Sequence, residues 1–315
     1  MRVLVVGATG AIGRQLVPQL VSAGHQVTGT TRSPAKAGSL QAAGAEPVVL
    51  DVLDGAAVGE AVAKAEPEAI MYESTAIPPD LNFRKFDQTF GPTNTLRTVG
   101  LDNLLAAAAA QGVPRFIAQS YAGWPYARVG GPVKTEEDPL DPDPPAAQRQ
   151  GLAALRHLED AVTAAGGLAL RYGNLYGPGS SELMVAMLRK RQVPIIGDGG
   201  GIWSFLHVTD AAGATVAALE RGAPGVYNVV DDEPARVADW LPVAASGAGA
   251  KRPLHLPAWI GKLAAGEVGV SMMTQVRGCS NAKAKAELGW QLVWPTWREG
   301  FVHGLSAAYP QPGHG

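Results

Sequence analysis

The sequence predicts an α/β fold: a doubly wound parallel sheet with helices on both faces, followed by a smaller C-terminal lobe. Three observations carry this expectation. Apolar runs of strand length recur at 2–6, 25–30, 47–50, 69–73, 115–118 and 168–171, with helix-patterned stretches between them, an alternation that calls for right-handed crossovers. Gly7, Gly10 and Gly13 follow the first run and open an amphipathic helix that carries Leu16, Val17, Leu20 and Val21. Beyond residue 179 the regular alternation lapses, which marks the start of the lobe.

Taken in order, the first strand breaks into a turn built for a dinucleotide. Gly7 permits the sharp bend, Gly10 lets backbone N–H groups approach a pyrophosphate, and Gly13 lets the helix sit close to the strand. Thr9, Ala11 and Ile12 complete that turn, and the phosphate meets the positive end of the helix. The second strand ends at Thr31-Arg32-Ser33. An acidic residue there would accept ribose hydroxyls, whereas the Arg32 guanidinium pairs with a 2′-phosphate, so the expected cofactor is NADP(H) rather than NAD. The alternative for Arg32 is a solvated surface side chain. Asp51 and Val52, after the third strand, are expected to flank the adenine, and Ser74, Thr75 and Ala76, after the fourth, to lie along the cofactor path.

The fifth strand delivers Gln119-Ser120-Tyr121 to the sheet edge at which open α/β folds bind ligands. Residues 130–145, rich in proline and acid, read as a surface loop, followed by a helix over about 147–164 and a turn-rich exit at 172–179. The expected domains are 1–179, with 202–232 returning to it, and a substrate lobe of 180–201 and 233–315. The cleft between them is the default substrate site.

The 315 residues carry a net charge of −2, which supplies no basic field for nucleic acid. No apolar stretch reaches the roughly 20 residues of a membrane span, so a soluble, cytoplasmic protein without a membrane partner is expected. A single cysteine, Cys279, excludes an internal disulfide and a multi-cysteine metal site, and no metal is expected.

Gly7-Ala8-Thr9-Gly10-Ala11-Ile12-Gly13, Asp51, Asn174-Leu175-Tyr176-Gly177-Pro178-Gly179, His207-Val208-Thr209-Asp210 and Lys285-Ala286-Glu287-Leu288-Gly289-Trp290, in this order, resemble the extended short-chain dehydrogenase/reductases of the NAD(P)-dependent epimerase/dehydratase group. The resemblance implies a Rossmann domain, a C-terminal substrate lobe, a nicotinamide cofactor and a homodimer built on helices four and five. It also implies a catalytic Ser or Thr after strand five and a Tyr-x-x-x-Lys on the following helix. Ser120 takes the serine's place. The pair is absent: no tyrosine lies between Tyr126 and Tyr172, and the one lysine in that interval, Lys134, is in the loop. Its positions fall at Ala146 and Gln150, or at Gly151 and Leu155. The tyrosine of such a pair handles the proton while the lysine lowers its pKa from about 10.

What remains for proton transfer is Tyr121 or a bound water, with Tyr126 close in sequence. Tyr172 and Asn174 are expected on the nicotinamide side of the cleft. The resemblance also places Trp203 where nucleotide-sugar enzymes use an arginine for the diphosphate. With Trp124 and Tyr126 as further substrate contacts, a small apolar or aromatic substrate is expected. The leading reading is an NADP(H)-dependent oxidoreductase that reduces a carbonyl or conjugated double bond, with Ser120 polarising the oxygen. Its rivals are a non-catalytic NADP-binding sensor or partner protein, and an epimerase/dehydratase working by transient oxidation.

Overall fold

The computed structural model describes residues 1–78 and 82–305, so the last residues of the expected lobe, 306–315, lie outside it. Seven parallel strands, β1 (Arg2–Val6), β2 (Gln26–Thr31), β3 (Glu46–Val49), β4 (Ala69–Tyr72), β5 (Arg115–Tyr121), β6 (Leu168–Tyr172) and β7 (Gly225–Val229), form one sheet in the order β7-β6-β5-β4-β1-β2-β3. Strand order reverses between β1 and β4, and ligands of such sheets bind beyond the carboxyl ends at that point.

The principal helices are α1 (Gly13–Ser22), α2 (Gly55–Ala65), α3 (Leu101–Ala110), α4 (Arg149–Ala164), α5 (Glu182–Arg189), α6 (Val208–Glu220), α7 (Val237–Gly247) and α8 (Ala258–Thr274). Strand residues alternate between two cores. Val3 and Val5 pack with Leu16 of α1 and Ala214 of α6, while Leu4 and Val6 pack with Val58 of α2, Leu104 of α3 and Val162 of α4. Helices cover both faces, so β1 reads as continuously apolar rather than alternating.

The same two-residue period governs β5, which runs three residues past its expected end. Ile117 faces the α1/α6 core and Phe116 and Ala118 the α2–α4 core. Gln119, Ser120 and Tyr121 therefore obey strand alternation instead of sharing one loop edge.

The stretch at 130–145 is more than a surface loop. Val133–Lys134 pairs in parallel with Gly278–Cys279, and the buried Lys134 ammonium donates to the Val129 carbonyl at 2.7 Å and to Asp138 at 3.0 Å. A third core is aromatic and joins the lobe to the sheet through Phe86, Trp124, Tyr176, Trp203, Trp240 and Phe301. Ala284, Leu288 and Trp290, far along the chain, pack back onto the α1/α6 core. No helix among the described residues is long and apolar enough to cross a membrane.

Candidate active site

Beyond the carboxyl ends of β1 and β4 lies a trough of about 550 Å³ lined by Gly7, Thr9, Gly10, Ala11, Ile12 and the ends of β2–β4. Its floor has no room for side chains. Gly7 holds φ +92°, and a Cβ on Gly13 would come within 2.5 Å of the Gly7 and Ala8 carbonyls. The Gly10 N–H closes the turn on the Gly7 carbonyl at 2.9 Å, while the amides of Thr9, Ala11 and Ile12 find no backbone acceptor among the described residues. Such a cradle at the start of α1 fits a dinucleotide pyrophosphate.

At the β2 end the trough carries two exposed cations, Arg32 and Lys36. Lys36, which sequence reasoning missed, closes the short turn Pro34–Lys36, four residues after Arg32. Ser33 is half-buried and donates its N–H to Thr31 Oγ1 at 3.2 Å, outside the trough lining. Val52 lines the trough, but the exposed Asp51 carboxylate turns back to accept from the Leu53 N–H at 3.0 Å. Ser74 and Thr75 line it as expected, whereas the Ala76 N–H is spent on Thr93 Oγ1 at 3.0 Å.

Thr75, Ile77, Gln119, Leu175, Ser180 and Leu183 border both this trough and a second, apolar cavity of about 280 Å³. The two spaces therefore meet. Phe86 stands edge-on to Trp124 with centroids 5.4 Å apart, and Trp203 lies 5.0 Å from Trp240, so flat faces dominate the walls. The Trp203 indole is anchored by donating to the Met272 carbonyl at 2.8 Å. Tyr121 lines the cavity and donates its hydroxyl to Asn174 Oδ1 at 2.6 Å, while Asn174 Nδ2 donates to the Ser204 carbonyl at 3.0 Å. Burial drives the Tyr121 pKa above its ordinary value. Arg97 is the one charged side chain lining the cavity among the described residues, and burial lowers it to about 10.

Residues 3–229 match the model of the NAD dependent epimerase/dehydratase family. The chain belongs to that family. It is 41% identical over 310 residues to a Streptomyces protein named 3-diazoavenalumate denitrifying reductase, covering 95% of this chain and 99% of that one. A UDP-glucose 4-epimerase from Thermus thermophilus, solved with NAD, superposes with a TM-score of 0.72 at 24% identity, over 97% of this chain and 98% of that one. A human epimerase family protein solved with NADPH superposes with a TM-score of 0.73 at 20% identity, over 97% and 99%. The family and its reductase relative make this chain an NAD(P)-dependent oxidoreductase.

Within the epimerase/dehydratase frame, several expected site residues stand elsewhere. Ser120 does not reach the cavity. Strand parity turns it toward α4, where it is 1% exposed and donates to Glu159 Oε1 at 2.6 Å. Glu159 also receives Arg171 Nε at 2.7 Å, and Arg171 in turn donates to the Tyr126 hydroxyl, which donates to Asn228. Tyr126 thus belongs to a buried polar chain and does not line the cavity. Tyr172 borders the cavity but is fully buried, with its hydroxyl at Glu73 and Thr215. Asn174 lies in the cavity wall rather than the trough.

One expected placement of the tyrosine–lysine pair, Gly151 and Leu155, falls in packed positions of α4. Gly151, one turn into α4, faces Trp124 and Phe86 at about 3.5 Å and 3.6 Å from its Cβ position, and Leu155 is fully enclosed in the aromatic core. His157 is half exposed and pairs with Asp102 at 2.7 Å on the protein's surface. Burial pushes the Cys279 thiol up to about 12, so it is no nucleophile. Two family motif residues act as joints: His207 Nδ1 accepts from the Thr209 N–H to cap α6, and Asp210 accepts the N–H groups of Val293 and Trp294 at 2.7 and 2.9 Å.

Glu73, at the junction of β1 and β4, is 5% exposed, with Oε2 lacking a partner among the described residues. Burial raises its pKa from 4.5 to about 8, against the pull of the Tyr172 hydrogen bond. The folded state therefore holds this proton more tightly than the unfolded chain. Its contribution to stability is full below about pH 4.5 and is lost as pH rises through about 8. Glu73→Gln should flatten the fall in melting temperature across that window. An equally steep fall in the variant would place the titration elsewhere.

Proposed function

We propose that the chain is an NADP(H)-dependent reductase of a small aromatic electrophile whose reduction needs no proton from the protein. A diazo-bearing aromatic acid is the acceptor class that fits. The observation carrying this reading is a complete dinucleotide cradle opening onto an aromatic cavity in which, among the described residues, no side chain is poised as an acid.

When bound, the reduced dinucleotide supplies a hydride where trough and cavity meet. A carbonyl acceptor would require this chain to protonate the resulting alkoxide. Ser120 faces α4 and Tyr121 commits its proton to Asn174, so the sequence-based expectation of carbonyl reduction loses both of its donors. At an aryl carbon bearing a diazonium group, hydride enters as dinitrogen departs with the C–N bonding pair. Charge and atoms balance without an acid. Phe86, Trp124 and Trp203 line the cavity with aromatic surface suited to a flat cationic arene, and the apolar wall keeps out the water that would hydrolyse it. The printed name of the Streptomyces relative, a denitrifying reductase of a diazo acid, supports this class. Arg32 and Lys36 at the end of the trough support the phosphorylated dinucleotide.

The test mixes the protein with NADPH, deuterated at C4, and 4-carboxybenzenediazonium. The expected result is NADPH oxidation with matching release of dinitrogen and deuterium on the ring carbon. Tyr121→Phe should keep kcat within about threefold, because removing a true proton donor costs roughly 10²–10⁴-fold. Turnover of ketones or enones alone, abolished by Tyr121→Phe, would overturn the reading.

A further inference from the structure

Arg97 stands alone in the cavity. Every other described residue of the wall is uncharged, and most are aromatic or aliphatic. A guanidinium facing apolar walls is costly unless something compensates it. Yet none of the described residues accepts a hydrogen bond from it or pairs with it in a salt bridge. The titratable groups close to it are Tyr121, Tyr72 and Glu159. The first two donate their hydroxyls elsewhere, to Asn174 and to the Leu96 carbonyl, and Glu159 is saturated by Arg171 and Ser120.

The backbone that carries Arg97 is also unusual. Residues Leu96–Gly100 form one widened π turn leading into α3. The Tyr72 hydroxyl takes the Leu96 carbonyl at 2.7 Å, and a Cβ on Gly100 would come within 2.8 Å of that hydroxyl. Single π turns of this kind recur at functional sites. Here the turn sets Leu96 against the trough and Arg97 against the adjoining cavity.

We infer that Arg97 is the substrate anchor: it binds an anionic oxygen, carboxylate or phenolate, on the aromatic acceptor and so fixes which end of the ring faces the hydride source. This rests on the reductase reading above and deepens it, by naming the residue that recognises the acceptor's anionic oxygen and sets its orientation. A guanidinium suits such an oxygen pair through its fork of donors, and a neutral aromatic of equal size would leave that fork empty.

The test measures binding to the full-length protein by quenching of tryptophan fluorescence, with and without NADPH. The probes are naphthalene-2-carboxylate, its neutral carboxamide, and 4-nitrophenolate in its ionised form. The expected result is that at least one anion binds about tenfold or more tightly than the carboxamide, and the tighter anion identifies the oxygen type. Arg97→Gln should erase that preference while leaving NADPH affinity and carboxamide binding unchanged. Arg97→Lys, which keeps the charge, should retain part of it. Equal affinity of all three probes for the wild-type protein would overturn the proposal, as would an Arg97→Gln variant that binds NADPH normally and still prefers an anion. Failure of the reductase reading is separately visible: it would show as absence of NADPH binding or turnover, with anion preference intact.

Discussion

Replacing Arg32 with aspartate is expected to weaken NADPH binding by about 30- to 1,000-fold while changing NADH affinity little. Arg32 and Lys36 together line the end of the trough, and a charge-assisted hydrogen bond to a phosphate contributes about 1.5–3 kcal/mol. On the NADP(H) reading proposed above, Arg32→Asp deletes one such contact and adds a like charge beside the phosphate. The new carboxylate also follows Thr31 at the strand end, the position from which an acid accepts ribose hydroxyls, so NADH can gain a contact that NADPH cannot. Titration of both dinucleotides against wild type and variant measures the two affinities directly. Equal losses for both would remove Arg32 from the 2′-phosphate site.

The second large effect is structural. Arg171 and Glu159 are 5% and 6% exposed and joined by two hydrogen bonds, at 2.7 and 2.5 Å, with Ser120 and Tyr126 on their outer atoms. Glu159→Gln leaves a guanidinium buried beside a neutral amide. Breaking such a pair by removing one partner costs about 3–5 kcal/mol, because the remaining charge has no water to return to. The melting temperature should fall by roughly 5–10 °C. NADPH affinity below the transition should stay the same. A variant as stable as wild type but inactive would put Ser120 back into the chemistry.

Those two sites mark the boundary of what the sequence made legible. The phosphate cradle was readable because its signal is local: three glycines after an apolar run, each needed within one turn. Arg32, Ser74 and Thr75 followed from strand ends alone. Trp124 and Trp203 line the cavity as expected, and both also pack in the aromatic core, the alternative that ring size alone left open. Ser120 failed for a different reason. Its side depends on β5 continuing through Tyr121, because in the continued strand Ser120 shares the face of Phe116 and Ala118, opposite Gln119 and Tyr121. Tyr126 was indistinguishable in sequence from a rim residue, because the Arg171 and Asn228 that absorb it are about 45 and 102 positions away. Arg97 gave no signal at all. On a regular helix an arginine reads as solvated, whereas here Arg97 lies in a π turn held by a tyrosine from β4 and lines the cavity.

The closure of Leu155 inside the aromatic core also bears on the missing tyrosine–lysine pair. A lysine there would have to hold its ammonium in a fully enclosed apolar site, and a tyrosine at Gly151 would have to fit against Trp124 and Phe86, which already stand at van der Waals distance from its Cβ position. Restoring the usual relay at these two positions would therefore mean rebuilding the packed wall around them as well as exchanging the two residues.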